Sequence, residues 1–266
     1  MRAHIARKRF GQNFLVNSQI VAGIIAAINP QPDQHIIEIG PGQGALTDSL
    51  VASGAQIDAI ELDRDLAEFL AVKYSNNHNF TLHSTDILTF DLSSLCSNKN
   101  IRQLRLVGNL PYNISSPLLF KLFTNMALIT DMHFMLQREV AERLTAAPNC
   151  KQYGRMSVMA QYYCNMQIVL EVPPDSFNPA PKVDSSVVYF QPHSQPIVTV
   201  TDTELLQKIT TIAFNQRRKT VANSCKTLIT ATELEQLKIN PLLRAENLTL
   251  TDYANITNYI AHKYTE

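Results

Sequence analysis

No stretch of eighteen apolar residues occurs in the 266-residue chain, so nothing in it has the length to span a bilayer as a helix. No C-x-x-C pair is present. The four cysteines stand apart at 96, 150, 164 and 225 and read as the scattered reduced thiols of a cytoplasmic protein, with no disulfide framework. The phosphate-cradling pattern G-x-x-x-x-G-K-[ST] is missing, which weakens an ATPase reading. There is no internal repeat and no low-complexity tract. Acidic residues are absent from the first 32 positions. That start places Arg2, Arg7, Lys8 and Arg9 ahead of an apolar stretch, 20–28, and so has a superficial likeness to a signal peptide. Gln12, Asn13, Asn17, Ser18 and Gln19 interrupt it and no A-x-A site follows. A structured amino terminus is therefore expected, although composition alone leaves an organellar transit peptide open.

What is present begins with 45% hydrophobic residues, enough for a core of one large domain or of a domain with a small appendage. The net charge of zero conceals a segregation. Residues 1–30 carry +4, residues 31–96 carry −8 and residues 97–266 carry +4. A neutral chain of this kind can still present basic surfaces to nucleic acid.

The acidic segment carries a strand–turn–helix pattern. His35-Ile36-Ile37-Glu38-Ile39 reads as a buried strand, Gly40-Pro41-Gly42-Gln43-Gly44 as a glycine turn, and 45–52 as a helix. This is the entry to a nucleotide-binding βαβ unit, in which glycine lets the backbone approach a ligand. The next strand, 56–60, ends at Glu61, where an acid can hold both ribose hydroxyls. A third, 80–83, leads to Asp86, whose carboxylate could accept from an adenine amine. Taken singly, each acid is more simply a helix cap or a surface charge. Together, Glu38, Glu61 and Asp86 would repel a pyrophosphate and welcome a sulfonium cation carrying adenosine. S-adenosylmethionine is thus favoured over NAD(P) or ATP.

A fourth strand, 104–107, delivers Asn109-Leu110-Pro111-Tyr112 to the edge where open α/β sheets collect ligands. Proline stiffens that turn. The Asn109 side-chain oxygen and the Leu110 carbonyl would suit an exocyclic amine beside the Tyr112 ring, and a strand-ending turn with a buried tyrosine is the plainer alternative. Further on, 132–136 reads as a fifth strand, 138–145 as a helix, and 165–172 and 185–191 as β runs able to pair antiparallel. Between these last two, four prolines in nine residues (173–181) stiffen a loop carrying Phe177 and Lys182. That loop could clamp a base and its phosphate, or Phe177 could lie in the core. After a linker, Thr201-x-x-Glu204 is a capping-box candidate, and short helices follow to the end. Arg217, Arg218 and Lys219 there, like Arg7, Lys8 and Arg9 in the amino-terminal arm, are candidates for RNA backbone contact or simply exposed charges.

The segments Arg7-Lys8-Arg9-Phe10-Gly11-Gln12-Asn13-Phe14-Leu15, Glu38-Ile39-Gly40-Pro41-Gly42-Gln43-Gly44-Ala45-Leu46-Thr47, Asn109-Leu110-Pro111-Tyr112 and Phe177-Asn178-Pro179-Ala180-Pro181-Lys182-Val183-Asp184-Ser185 together resemble the ribosomal RNA adenine dimethyltransferases, in order and over nearly the whole chain. The lead and the proline-rich run look more like the small-subunit enzymes than the related large-subunit family that confers macrolide resistance. The resemblance implies an α/β fold: a Rossmann-like, seven-stranded class I methyltransferase sheet with helices on both faces over 1–194, and a small all-helical domain over 195–266. It implies S-adenosylmethionine held by Asn13, Leu15, Gly40, Gly42, Glu61, Asp86 and Asn109, with no metal, and Gly40 as a surer functional glycine than Gly44. It implies catalysis at Asn109, Leu110, Pro111 and Tyr112, with Tyr112 and Phe177 stacking on the target base. The implied reaction is dimethylation at N6 of two adjacent adenosines in the 3′-terminal hairpin loop of 16S rRNA, in an immature small ribosomal subunit. A monomeric cytoplasmic enzyme is expected. The rivals are a non-catalytic RNA-binding assembly factor on the same fold and a small-molecule methyltransferase.

Overall fold

The computed structural model describes residues 12–111 and 114–263. A two-residue strand β1 (Phe14–Leu15) leads into α1 (Ser18–Ile28). Asn17 caps that helix, its side chain accepting from the N–H groups of Gln19 and Ile20, and Asn29 closes it in the left-handed region at φ 46°. Alternation of strand and helix then begins: β2 (His35–Ile39), α2 (Thr47–Ala52), β3 (Gln56–Glu61), α3 (Arg64–Lys73), β4 (Phe80–Ser84), α4 (Leu92–Lys99), β5 (Leu104–Asn109), α5 (Ser115–Phe123), β6 (Ile129–Gln137) and α6 (Arg138–Thr145). After α7 (Arg155–Tyr163) come β7 (Cys164–Val172), the short β8 (Phe177–Asn178) and β9 (Ser185–Pro192).

Seven strands make one sheet in the order β4-β3-β2-β5-β6-β9-β7, with helices around it. β4, β3, β2, β5 and β6 run parallel, as crossover helices require, and β9 lies antiparallel to β6. β1 and β8 form a separate antiparallel ribbon. The central strands read as continuous apolar runs because both faces are covered: Ile36, Ile37, Ala59, Leu106 and Val107 are all fully buried. β5 extends through Gly108 and Asn109, two residues beyond the expected run. Gly108 permits this, since a Cβ there would stand 2.5 Å from the Ile39 carbonyl oxygen.

The chain divides into two compact units, one of Met1–Ala141 with Gln167–Pro192 and the other of Glu142–Met166 with His193–Glu266. The division is not the single break at 194/195 expected from sequence, because 142–166 packs with the carboxyl-terminal helices. Within that second unit α7 lies against α8 (Thr203–Asn215), and α9 (Val221–Ser224), α10 (Ala231–Gln236) and α11 (Leu250–Lys263) complete it. Phe214 stands 6.0 Å, ring to ring, from both Tyr153 and Tyr253, and Tyr153 and Tyr253 are fully buried. The cap of α8 is Asp202, which accepts from the Leu205 N–H. Thr201, the expected cap, instead engages the Asn258 side chain through its N–H and hydroxyl. Among the described residues, no helix is long and apolar enough to cross a membrane.

Candidate active site

The pocket at the carboxyl ends of the parallel strands is built from β2 and the glycine turn after it, the ends of β3 and β5, the turn after β4, and the segment 12–15. Asn13, Leu15, Gly40, Gly42, Glu61, Asp86, Asn109, Leu110 and Pro111 all line it, so one concavity gathers most of the residues singled out in sequence. No lysine or arginine is among its described lining residues.

Glu61 ends β3, and backbone donors hold its carboxylate. One oxygen accepts from the Asp63 N–H at 2.9 Å, the other from the Gly42 N–H at 3.1 Å. Gly42 can turn its N–H there because it sits at φ +59°, and a side chain at that position would crowd the Phe14 ring at 3.2 Å. Burial raises the Glu61 pKa above the ordinary value, while those N–H bonds pull it back. Glu38 lies one strand away, 2% exposed, with the Thr47 hydroxyl donating to it at 2.6 Å. Burial pushes its pKa up to about 7, the Thr47 bond opposes that, and the charge of Glu61 adds to the rise. Gly44, trusted less than Gly40 from sequence, is the more sterically constrained: a Cβ there would meet the Tyr74 hydroxyl at 2.6 Å, against 3.8 Å to the nearest atom at Gly40.

Asp86 follows β4 and accepts from the Leu88 N–H at 2.8 Å. Its turn is held from below by Lys121, whose ammonium donates to the carbonyls of Ile87, Leu88 and Phe90 at 2.8, 3.0 and 2.5 Å. Lys121 escaped notice in sequence. The signal was there, as the one charge in the apolar helix Ser115–Phe123. The lining positions Gln12 and Phe14 stood inside a quoted motif without a role of their own, and Leu62, an exposed apolar residue following an acid, was missed.

At the end of β5 the Asn109 amide donates through Nδ2 to the Asn13 carbonyl at 3.1 Å, which fixes the orientation of that amide. Its Oδ1 accepts from no described residue. The Leu110 N–H donates to the Met135 carbonyl at 3.1 Å and Leu110 is 1% exposed. Tyr112, Arg7, Lys8 and Arg9 lie outside the described residues.

Two of the expected RNA contacts have partners within the protein. Phe177 does not line the pocket; it is 5% exposed and packs in the core with Leu15, Leu46, Leu50, Val172 and Val187, because its strand pairs with β1. As placed, its ring is not available to stack on a base. Arg217 is exposed on the surface of the second unit, yet already has partners of its own. Its guanidinium donates to the carbonyls of Lys151 and Tyr153, both at 2.9 Å, and to Glu246 at 2.8 Å, bracing the second unit from within. Lys182, Arg218 and Lys219 are exposed. Among the described residues, no group of three or more His, Cys, Asp or Glu side chains is placed to hold a metal ion.

Comparison with known proteins gives these features a context. The model of a family described as Ribosomal RNA adenine dimethylase matches residues 3–262. A Yersinia pestis (strain Pestoides F) protein named Ribosomal RNA small subunit methyltransferase A is 51% identical over 264 residues, covering 99% of this chain and 97% of the relative. A Serratia proteamaculans (strain 568) protein of the same name is 50% identical over 260 residues, covering 98% and 95%. Among solved structures, a dimethyladenosine transferase from Plasmodium falciparum superposes with a TM-score of 0.79 at 25% identity, covering 94% of this chain and 98% of that one. The 23S rRNA methyltransferase ErmE shares the fold at 22% identity, TM-score 0.72, covering 94% and 100%.

Proposed function

Since the chain belongs to the ribosomal RNA adenine dimethylase family, we propose that it dimethylates N6 of two adjacent adenosines in the 3′-terminal hairpin loop of 16S rRNA. S-adenosylmethionine is the methyl donor and an immature small ribosomal subunit the substrate particle. The enzyme acts as a monomer in the cytoplasm and serves small-subunit biogenesis. The single observation that carries this reading is the convergence of Glu61, Asp86 and Asn109 on one acidic pocket that no described lysine or arginine lines.

The residues present fit such a donor. Each Glu61 oxygen accepts one backbone N–H and keeps a lone pair for a ribose hydroxyl. Asp86 offers a carboxylate oxygen to an adenine amine, and the potential of Glu38 and Glu61 favours a cation. When bound, the donor supplies a methyl group already activated on a sulfonium. The protein's part is then to hold the target nitrogen in line. Acceptance of the N6 hydrogens by Asn109 Oδ1 and the Leu110 carbonyl withdraws the lone pair from the ring and makes that nitrogen more pyramidal and nucleophilic. The product nitrogen loses its proton to water, with no dedicated base. Tyr112 stacks on the extruded adenine, an interaction typically worth about 1–3 kcal/mol. Arg7, Lys8, Arg9, Lys182, Arg218 and Lys219 contact phosphates, so RNA affinity falls as salt rises.

The test incubates the protein with S-adenosylmethionine and unmethylated small or large ribosomal subunits, then maps N6,N6-dimethyladenosine by mass. Modification of two adjacent adenosines in the small-subunit hairpin is expected. Asn109→Ala should lower turnover about 10²–10³-fold with the fold intact. Methylation confined to large-subunit RNA would sink the substrate assignment.

A further inference from the structure

The segment 12–17 forms a strap along one wall of the pocket and enters α1 at its cap, Asn17. The Asn13 carbonyl takes the Asn109 amide, and the Gln12 amide donates to Asp63 at 3.0 Å. Its backbone also attaches to the proline-framed loop. Leu15 pairs with Phe177 and Phe14 with Asn178, while the N–H groups of Val16 and Asn17 donate to the Ser176 carbonyl at 2.8 and 3.3 Å. A two-residue ribbon has no stability of its own in water and needs an apolar backing. Leu15 and Phe177 supply it by entering the same buried cluster. The prolines at 173, 174, 179 and 181 limit the freedom of the loop that offers Ser176 and Phe177, so the anchor is preformed.

We infer that Phe177, with the Ser176 carbonyl, is a positioning residue for the cofactor pocket: it anchors the strap whose Gln12, Asn13, Phe14 and Leu15 form one wall. The inference rests on reading the pocket as a cofactor site. Through Asn13 the same anchor reaches the amide of Asn109, so loosening it disturbs donor binding and the grip on the target amine together.

Three variants test it. Phe177→Ala removes the apolar anchor, and Phe177→Leu keeps it without an aromatic face. Val16→Pro deletes one strap N–H at a side chain that is 56% exposed, so the core is untouched if Phe177→Ala fails to fold. Hydrogen exchange of the strap amides is measured, then affinity for S-adenosylhomocysteine by calorimetry without RNA, then turnover on unmethylated small subunits. Phe177→Ala should lose protection at the Val16 and Asn17 amides and, like Val16→Pro, bind about tenfold more weakly, as loss of a hydrogen bond with its packing implies. Phe177→Leu should keep protection, affinity and turnover within a few-fold of the parent. Unchanged affinity in Phe177→Ala and Val16→Pro overturns the inference. So does a Phe177→Leu protein that binds normally but no longer turns over, since that marks a stacking role. If the parent itself fails to bind S-adenosylhomocysteine, the cofactor reading falls, and exchange alone decides the anchor: retained protection in Phe177→Ala overturns it.

Discussion

Strand β3 carries two acids three residues apart, and the molecule treats them in opposite ways. Asp58, in its amino-terminal half, has a fully buried side chain that meets three partners: His35, His83 at 2.5 Å and the Lys99 ammonium at 2.8 Å from both oxygens. Burial would raise its pKa, but those hydrogen bonds win and hold it well below the usual carboxylate range. The buried Asp131 also has a cation beside it, the Arg105 guanidinium donating to it at 3.0 Å. At the carboxyl end Glu61 has backbone N–H groups where Asp58 has cations, Glu38 has a hydroxyl, and the pKa of each is raised. Negative charge is neutralised where it braces the sheet and left unbalanced where a cation could bind. The contrast separates acids that brace the sheet from acids that line the pocket without reference to any relative.

The largest effect that could break this division belongs to Asp58→Ala. Removing one partner of a buried ionic cluster strands the others, and stability should fall by about 3 kcal/mol, discounted for the part-exposed Lys99. In the parent, Asp58 contributes stability that is present above its ordinary pKa of 3.8 and is lost as pH falls through the depressed folded value. Urea unfolding measures the loss. Affinity for S-adenosylhomocysteine in the protein that remains folded should stay within about twofold, a difference too small to register as a lost hydrogen bond. A large loss of affinity would show that both ends of β3 serve the ligand.

Glu61→Gln gives the converse and a somewhat smaller effect. The amide can accept one of the two N–H bonds and sets its own NH2 against the other, and the negative charge is gone. Affinity for S-adenosylmethionine should drop about 10–30-fold, equivalent to about 1.4–2 kcal/mol, read by calorimetry. The unfolding midpoint should move less than in Asp58→Ala. A variant that binds normally would remove Glu61 from the ligand set.

Much of this arrangement was legible in sequence because local chemistry decided it. Strand, glycine turn and acid recur from His35 to Glu61 with the spacing of a βαβ unit. What escaped depends on partners distant along the chain. Thr201 satisfies a capping pattern, yet Asn258 claims it and Asp202 caps α8 instead. An aromatic beside prolines looks the same in sequence whether it stacks on a base or pairs with Leu15, and only the β1–β8 ribbon decides. Residues 142–166 carry no sign that Tyr153 will meet Phe214 rather than the sheet. Lys121 reads as a stray charge until the carbonyls around Asp86 are seen to face it.

Glu38 sharpens the comparison with the smallest effect. An acid whose pKa is raised from 4.5 to about 7 in the folded chain keeps a proton that the unfolded chain releases. Its contribution therefore makes the unliganded protein less stable as pH climbs from about 4.5 to about 7, and adds no slope above that. A cationic ligand reverses the preference, because the ionised carboxylate attracts it and the neutral acid does not. Affinity for S-adenosylmethionine should then rise a few-fold, by about 1 kcal/mol or less, between pH 6 and pH 8. S-adenosylhomocysteine, which lacks the sulfonium charge, should show a weaker rise. Glu38→Gln should flatten both curves while Asp58, already ionised throughout this range, leaves them unchanged. Calorimetric titrations at the two pH values with both ligands make the measurement. Equal pH dependence in the parent and in Glu38→Gln would mean that the unbalanced charge at this end of the sheet resides elsewhere.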